Sequence, residues 1–463
     1  MFKKPFMMVL SLGWCLSSPA ADLMDVYHQA LENDTIFKAA YSTFLSQSQA
    51  IPQAEAALLP QVGIAAQKTY NHFGLNDGIL SRAENYGSQQ IGINASQALF
   101  NLQAWDNLQQ AKASVKAAHA QYNDAAQNLI LRVTQAYLDA LLSKDTLVFA
   151  EGKKRANKRQ LDQATNRFEV GVDTITSVYE AKAAYDQSIA EVIAARNNQI
   201  NKSENLRKLT NAAYDTLSPL RNGTVPLINP EPKRAEDWIA SAIKHNYKLL
   251  SAKFSLQAAR ENIKTQSTGD WPTFSLQGGS TKTTNDVKRA NIFVLPSQVV
   301  ASIGVGMNFP VYQGGLTQAN TRQAQYDFQT TSEQLEQTYR DIVVNSRIAF
   351  NTIVDGISKV KADRQTIISQ KNSLDSVSAQ YEVGTRTMVD VVRAQQGLFE
   401  AQEQLASDQY QFILSILRLK YLAGSLNVAD IEEINAWLET TRIDKLKKPS
   451  KHLLTAAHGI HHP

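Results

Sequence analysis

Apolar residues recur alternately four and three positions apart over several long stretches of the chain. The clearest series extends from Leu335 to Tyr381, a second from Met388 to Leu419, and a weaker one from Leu129 to Leu147. Heptad spacing sustained over such lengths predicts long α-helices that pack side by side. In the first half we expect one helix from about residue 103 to residue 168, roughly 100 Å long at 1.5 Å per residue. Ala, Ser and Gln are frequent in the seams, which favours a curved wall of helices over an isolated two-stranded rod.

Four shorter segments alternate apolar residues with small or polar residues at every second position. Two of them follow Pro60 and Pro272, and the other two end near Phe100 and Phe309. This alternation is typical of strands in the wall of a membrane barrel, with the apolar side chains toward lipid. An antiparallel sheet with one face in water gives the same alternation, so the strands alone leave both possibilities open. The residues that fit an interfacial aromatic girdle near the strand ends are Phe100, Trp271, Phe274, Phe309 and Tyr312.

The order of elements occurs twice, at an offset of about 212 residues. FEVGVDTITSV at 168–178 matches YEVGTRTMVDV at 381–391, and each follows a helix, two strands and a long helix. A segment rich in proline separates the two copies, which is typical of a linker. The predicted organisation is a signal peptide at 1–20, a first repeat at 21–214, a linker at 215–235, a second repeat at 236–427, and a C-terminal helix with a disordered basic tail at 428–463.

The first twenty residues have the composition of a secretory signal peptide. Lys3 and Lys4 precede a short apolar stretch, and small residues at Ser18 and Ala20 predict cleavage after Ala20. A buried N-terminal helix is the alternative. Cys15 is the only cysteine, and because the large Trp14 precedes it, we expect it to be removed and not acylated. The mature chain would then contain no thiol, which excludes disulfides, cysteine nucleophiles and thiolate metal sites.

Composition and motifs argue against most other classes of protein. The chain has 463 residues, 43% of them hydrophobic, and a net charge of only +4, which gives no reason to expect a nucleic-acid partner. The segment Gly278–Lys282 lacks the spacing of a phosphate-binding loop, and no HExxH zinc motif is present. We therefore predict no cofactor, no metal and no catalytic site. A metal site among the tail histidines is the alternative to a disordered tail: His452, His458, His461 and His462.

The sequence resembles the TolC family of outer-membrane efflux and secretion channels. The resemblance is carried by the two valine–glycine turns, the two strands that follow prolines, and Val311–Gly315 before a long helix, and it covers about Asp22 to Asn427. It implies a mainly α protein with membrane β: a homotrimer whose twelve-stranded β-barrel in outer-membrane lipid continues as an α-helical tunnel through the periplasm. Four strands cannot close a barrel alone, and three copies supply twelve. The resemblance also places the C-terminal helix at the tunnel's equator.

The function implied by this resemblance is an exit duct for tripartite efflux pumps or type I secretion systems. A periplasmic adaptor and an inner-membrane pump would be its partners, and an iris-like periplasmic entrance would gate it. Drug efflux and protein secretion are not distinguished. One alternative is a periplasmic coiled-coil adaptor or scaffold, although paired strands at matched places in both repeats do not suit it. A secreted enzyme with a helical stalk is another, and the missing catalytic constellation argues against it.

The same resemblance implies roles for residues of the two valine–glycine turns. Asp390 matches an acid that lines the closed aperture, whereas the second acidic position, three residues later, is Arg393. Tyr381 and Arg386 match positions that hold the closed helices to their neighbours. The matching partner segment is Thr176–Ser177, and family members can have an acid where Ser177 stands.

Alignment of the two repeats pairs opposite charges at equivalent positions. Asp173 is equivalent to Arg386, and Glu180 is equivalent to Arg393. We predict that Asp173–Arg386 and Glu180–Arg393 pairs across neighbouring hairpins help to hold the entrance closed. The alternative is solvated surface charge that contributes about 0–1 kcal/mol per pair. Gly171 and Gly384 are expected to serve turn geometry first and adaptor contact second.

Overall fold

The computed structural model describes residues 20–76, 81–286 and 297–439. The predicted signal peptide, apart from Ala20, and the histidine-containing tail from residue 440 lie outside these residues. The described part contains ten α-helices and four strands. They are α1 Leu23–Asn33, α2 Thr35–Ser48, α3 Ala50–Ala56, β1 Gln61–Asn76, β2 Ser81–Phe100, α4 Leu102–Glu169, α5 Ile175–Thr210, α6 Ala235–His245, α7 Tyr247–Ser267, β3 Thr273–Asp286, β4 Ser297–Asn308, α8 Leu316–Glu382, α9 Met388–Leu422 and α10 Val428–Asn435.

The long helices follow the heptad seams. α4 has 68 residues and α8 has 67, so each is about 100 Å long at 1.5 Å per residue. The seam of α8 is visible in the burial of Ile342, Ser346, Ala349, Ile353 and Val360. No helix among the described residues is both long and apolar enough to cross a membrane.

The four strands form one antiparallel sheet in the order β1-β2-β3-β4. The register places Ile64 opposite Ile93, Ile93 opposite Ser280, and Gly278 opposite Ile303. Since side chains alternate between faces along a strand, apolar residues from all four strands gather on one side of the sheet. We call this side the apolar face, and its most exposed members include Val62, Ile64, Ile91, Ile93, Val299, Ile303 and Val305. The other side has mainly small and polar residues.

The chain packs into two compact units. One contains the described residues up to Lys38, Ala125–Asn246, and those from Ile342 onward; the other contains Ala39–Asp124 and Tyr247–Asp341, including the sheet. The boundaries between these units cut α2, α4 and α8. Compact packing therefore groups corresponding parts of the two sequence repeats together.

The core of the first unit contains buried residues of α1, α4, α5, α6, α8, α9 and α10. Tyr137, Phe412 and Ile413 are almost completely buried there. The Tyr137 hydroxyl donates to the carbonyl oxygen of Ser218 at 2.9 Å, so its polar end is satisfied inside the core. Burial raises the pKa of Tyr137 far above its usual value, which keeps this hydroxyl protonated as a donor.

An ion pair between a buried carboxylate and a partly exposed guanidinium holds the break between α1 and α2. Asp34 ends α1, and its carboxylate accepts two hydrogen bonds of 2.9 Å from the guanidinium of Arg132. The Asp34 side chain is only 3% exposed. Burial by itself would raise the pKa of Asp34, but the hydrogen bonds from Arg132 and from the Phe37 amide outweigh it and lower the pKa below 3.8.

Replacing Arg132→Ala should lower the free energy of unfolding by about 3 kcal/mol, because it leaves a buried carboxylate without its partner. Urea denaturation of the detergent-solubilised protein, followed by circular dichroism, measures the loss. The matched control is Arg340→Ala, whose pair with Glu336 is exposed and should contribute only about 0–1 kcal/mol.

The same ion pair predicts a pH dependence of stability. Since the folded-state pKa of Asp34 is lowered, the stabilisation is present above pH 3.8 and is lost as the pH falls through that lowered pKa. Equal losses in the two variants would contradict this account of the pair.

Candidate functional site

Two tight turns with the same construction connect the ends of the long helices: one joins α4 to α5, and the other joins α8 to α9. In the first, the amide of Gly171 donates to the Phe168 carbonyl at 2.9 Å; in the second, the amide of Gly384 donates to the Tyr381 carbonyl at 3.0 Å. The two glycines have φ angles of +72° and +78°. A Cβ at either position would meet no atom within 4 Å, so glycine is needed for the left-handed backbone and not for space.

Each turn ends on a threonine that caps the next helix. The Thr387 hydroxyl oxygen accepts from the Asp390 amide, while the Asp390 carboxylate accepts from the Thr387 amide at 3.1 Å and its hydroxyl at 2.9 Å. This reciprocal capping box satisfies the free amides at the start of α9. The Thr387 hydrogen bonds lower the pKa of Asp390, and the charges of Arg386 and Arg393 add to the effect. The predicted aperture acid is therefore ionised, and it also starts its own helix.

In the first turn the equivalent position is Ser177, and the acid lies four residues earlier, at Asp173. The Asp173 carboxylate accepts from the Ser177 hydroxyl at 2.7 Å and from the Thr174 amide at 2.8 Å. It also accepts from the Tyr381 hydroxyl at 2.5 Å, which connects the turn before α5 to the end of α8. The Asp173 carboxylate thus accepts three hydrogen bonds. Two come from the hairpin formed by α4 and α5, and one comes from the hairpin formed by α8 and α9.

Arg167 completes this group. Its guanidinium carbon lies 5.1 Å from the centroid of the Tyr381 ring, and its Nε is 3.7 Å from the Asp173 carboxylate. One cation therefore interacts with both members of the Tyr381–Asp173 hydrogen bond. We call Arg167, Asp173, Ser177 and Tyr381 the turn cluster.

The pKa values in the turn cluster fix which group donates. Burial and the neighbouring Asp173 carboxylate raise the pKa of Tyr381 well above its usual value. Burial of Asp173 acts to raise its pKa, but the hydrogen bonds from Tyr381, Ser177 and Thr174 outweigh it and lower the pKa below 3.8. The tyrosine stays protonated and the carboxylate ionised at neutral and mildly acidic pH.

Apolar packing beneath the turns joins the same two hairpins. Ala164, Ala181, Tyr381, Met388 and Val391 are buried together. Next to them, the side-chain amide of Gln160 on α4 donates to that of Gln395 on α9. The turn cluster therefore lies on a packed base, which holds the Tyr381 ring in place.

The other predicted residues lie around the turn cluster without joining it. Arg386 donates through Nε to the Gln380 side chain at 3.1 Å and not to Asp173 of the same chain. Glu180 and Arg393 make no ion pair with the described residues, and Thr176 is exposed. Neither predicted charge pair forms within one chain, so both stay predictions about contacts between chains.

Sequence reasoning missed Arg167 and Gln380. They are equivalent in the repeat alignment, and each lies six residues before the charged residue it contacts, Asp173 or Arg386. That shared spacing was a signal available in the aligned turns. Among the described residues there is no group of three or more His, Cys, Asp or Glu side chains placed to hold a metal ion.

Comparison with known proteins places this fold in a known group. The family model described as "Outer membrane efflux protein" matches residues 26–212 and 238–425, two segments that begin 212 residues apart. "Outer membrane protein TolC" of Salmonella enteritidis is 35% identical over 440 residues, covering 94% of this chain and 88% of the relative. "Proteases secretion protein PrtF" of Dickeya chrysanthemi is 24% identical over 433 residues, covering 92% and 93%.

A similar fold has been solved for the CmeC outer membrane channel of Campylobacter jejuni. The TM-score is 0.74, with 95% of this chain and 98% of that chain covered. At 16% identity this likeness concerns the fold alone. It agrees with the expected combination of long helices and a β domain.

Replacing Tyr381→Phe should loosen both turns, because it removes the hydroxyl that donates to Asp173. The aromatic ring stays in its packed base, so the substitution removes only this hydrogen bond. A hydrogen bond to a charged group contributes about 1.5–3 kcal/mol, so exchange of the turn amides should rise roughly tenfold or more. Hydrogen–deuterium exchange by mass spectrometry of peptides covering 170–174 and 383–387 measures the change. Tyr326→Phe, at an exposed tyrosine, is the control and should alter neither peptide. Unchanged exchange in the Tyr381 variant would show that the hydroxyl does not hold the turns.

Proposed function

Because the chain belongs to the outer membrane efflux protein family, whose members are outer-membrane exit ducts for efflux and type I secretion, we propose how this duct is built and closed. The working unit is a homotrimer that docks a periplasmic adaptor and an inner-membrane pump. The pump supplies the energy, the adaptor opens the entrance, and the duct performs no chemistry of its own. The rival interpretation, a periplasmic adaptor or scaffold, is not favoured, because the matching family model is that of outer membrane efflux proteins and the relatives include an outer membrane protein and a secretion protein.

The sheet supports the trimer. β1 and β4 are its edges, and each has one neighbouring strand among the described residues. An unpaired edge cannot be left in lipid, where no water satisfies the backbone. Pairing β1 of one copy with β4 of the next closes twelve strands, with the apolar face toward lipid and the polar side toward the lumen.

The turn cluster supports a proposal about how the periplasmic entrance is held closed. In the family, an acid can stand at the position of Ser177; here the acid is at Asp173 and receives hydrogen bonds from both Ser177 and Tyr381. The contact between hairpins is thus made by a carboxylate at a different position. We place the two turns at the periplasmic entrance, where this contact holds the helices of one chain together. Arg386, Glu180 and Arg393 face the neighbouring chains in this arrangement and supply the contacts between subunits.

The aperture is proposed to be nearly neutral. Three copies of Asp390 would line it, and three copies of Arg393, one helical turn away, would offset their charge. The Asp390 side chain is held by Thr387, so the carboxylate has a defined position at the start of α9. A family member with two acids at these positions would attract cations more strongly than this chain.

Breaking the turn cluster should open the entrance. We expect Tyr381→Phe combined with Asp173→Ala to raise single-channel conductance several-fold in a planar bilayer, since the pair contributes about 1.5–3 kcal/mol to the closed state. Tyr326→Phe serves as the control and should conduct like the wild type. Unchanged conductance in the double variant would refute the gate, and failure of the folded wild-type protein to insert would favour the adaptor interpretation.

Removing the cation at the aperture tests the second part of the proposal. Arg393→Ala should increase block by hexamminecobalt added on the side of the turns, because Asp390 would lose its compensating charge. Arg393→Lys keeps the charge and should behave like the wild type. If Arg393→Ala also leaves the basal conductance unchanged, Arg393 takes no part in holding the entrance closed.

A further inference from the structure

Two lysines lie on the apolar face of the sheet. Lys68 is opposite Gln89 on β2, and Lys282 is opposite Ile91 on the same strand, two residues further on. Gln89 and Ile91 share one face because side chains alternate, so Lys68 and Lys282 share it as well. On its other side, Lys282 faces Val299. On a face that is proposed to contact lipid, a lysine between an isoleucine and a valine is unusual, because a charged side chain in lipid is destabilising.

The two lysines line one shallow groove. It has a volume of about 540 Å³ and includes Lys68, Gln89, Ile91, Lys282 and Thr284 in its lining. The ammonium of Lys68 lies 5.5 Å from the centroid of the Tyr70 ring. Both lysines are exposed, and neither makes an ion pair with the described residues. The groove therefore combines two uncompensated cations with polar side chains and an apolar floor.

The position along the strands identifies the depth of this groove. From Phe274 to Lys282 is eight residues, about 27 Å along the strand and about 20 Å along the normal for a tilt near 40°. The apolar band of such a sheet is about 25 Å tall. Beyond the lysines the same face becomes polar, with Thr284, Asp286 and Asn85. The lysines thus lie at the edge of the apolar band that is farther from the helices.

We propose that Lys68 and Lys282 bind the phosphorylated headgroup of an outer-membrane lipid. A lipid fits better than a soluble anion because Ile91 lines the groove and Ile64 and Ile93 follow on the same apolar face, which offers a surface for acyl chains. Lysine ammonium groups at the membrane boundary pair with anionic headgroups while their alkyl stems cover apolar surface. The inference rests on the proposed placement of the sheet in the membrane.

Native mass spectrometry of the detergent-purified protein tests the site, with bisphosphorylated lipid A and fully dephosphorylated lipid A as probes. The wild type should retain the phosphorylated form roughly tenfold more strongly. Lys68→Gln with Lys282→Gln should remove most of that preference, whereas Lys68→Arg with Lys282→Arg should keep it. Lys361→Gln with Lys371→Gln makes the same change in charge on exposed positions of α8 and is the matched control.

Two results would overturn the inference. One is a preference that survives in the double glutamine variant. The other is displacement of the lipid by millimolar inorganic phosphate, which would indicate a site for free anions. A parallel measurement of insertion and conductance in planar bilayers separates this inference from the proposed function. Failure of the wild type to insert refutes the membrane placement, while normal insertion without a lipid preference refutes only the lysine site.

Discussion

A sheet placed in lipid has no water to satisfy its backbone, and much of this protein's organisation follows from that constraint. Within the part of the chain that the structure describes, β1 and β4 each leave one side without a partner strand. Identical copies can supply the missing hydrogen bonds, and a closed ring of strands then requires the helices of the copies to lie next to one another. Leu316, an exposed apolar residue at the start of α8 in the same compact unit as the sheet, would gain neighbours in that arrangement. The same association that pairs the strand edges would therefore also cover apolar helix surface that is exposed in a single chain.

The two repeats show how a duplicated hairpin acquires two different roles. Both turns keep the same glycine, the same capping threonine and the same contact between residues six apart. Their charges differ: the first turn has Asp173 beside Arg167, and the second has Arg386 beside Gln380. Because only the first turn offers a carboxylate before its capping threonine, Tyr381 of the second hairpin can bond across to it. The donor differs as well: the position equivalent to Tyr381 in the first hairpin is Phe168, which has no hydroxyl to donate.

The strands and the long helices were predictable, because they depend on periodicities that the sequence shows directly. The single helix expected before the strands of each repeat was wrong: three helices, α1 to α3, stand there in the first repeat, and two, α6 and α7, in the second. The helix expected from about residue 103 to residue 168 is α4, Leu102–Glu169. The resemblance pointed to Tyr381, but not to its acceptor. Which carboxylate accepts from Tyr381 depends on side-chain directions within a turn of five residues, and periodicity carries no information about them. The lysines on the apolar face were missed for a related reason: only the register between three strands shows that Lys68 and Lys282 lie on the same side.

The capping box fixes the position of the charge that Asp390 would bring to the proposed aperture. Asp390 is held by Thr387 at the start of α9, where the helix dipole also favours a negative charge. Its ionisation therefore does not depend on Arg393, which only adds to a pKa already lowered by the cap. Alanine at residue 390 would remove the charge and weaken the helix start together, whereas asparagine retains an oxygen that can accept from the Thr387 amide. Because Arg393 lies one turn further along α9 and caps nothing, the charge of the proposed aperture can be changed there without disturbing the turn that positions Asp390.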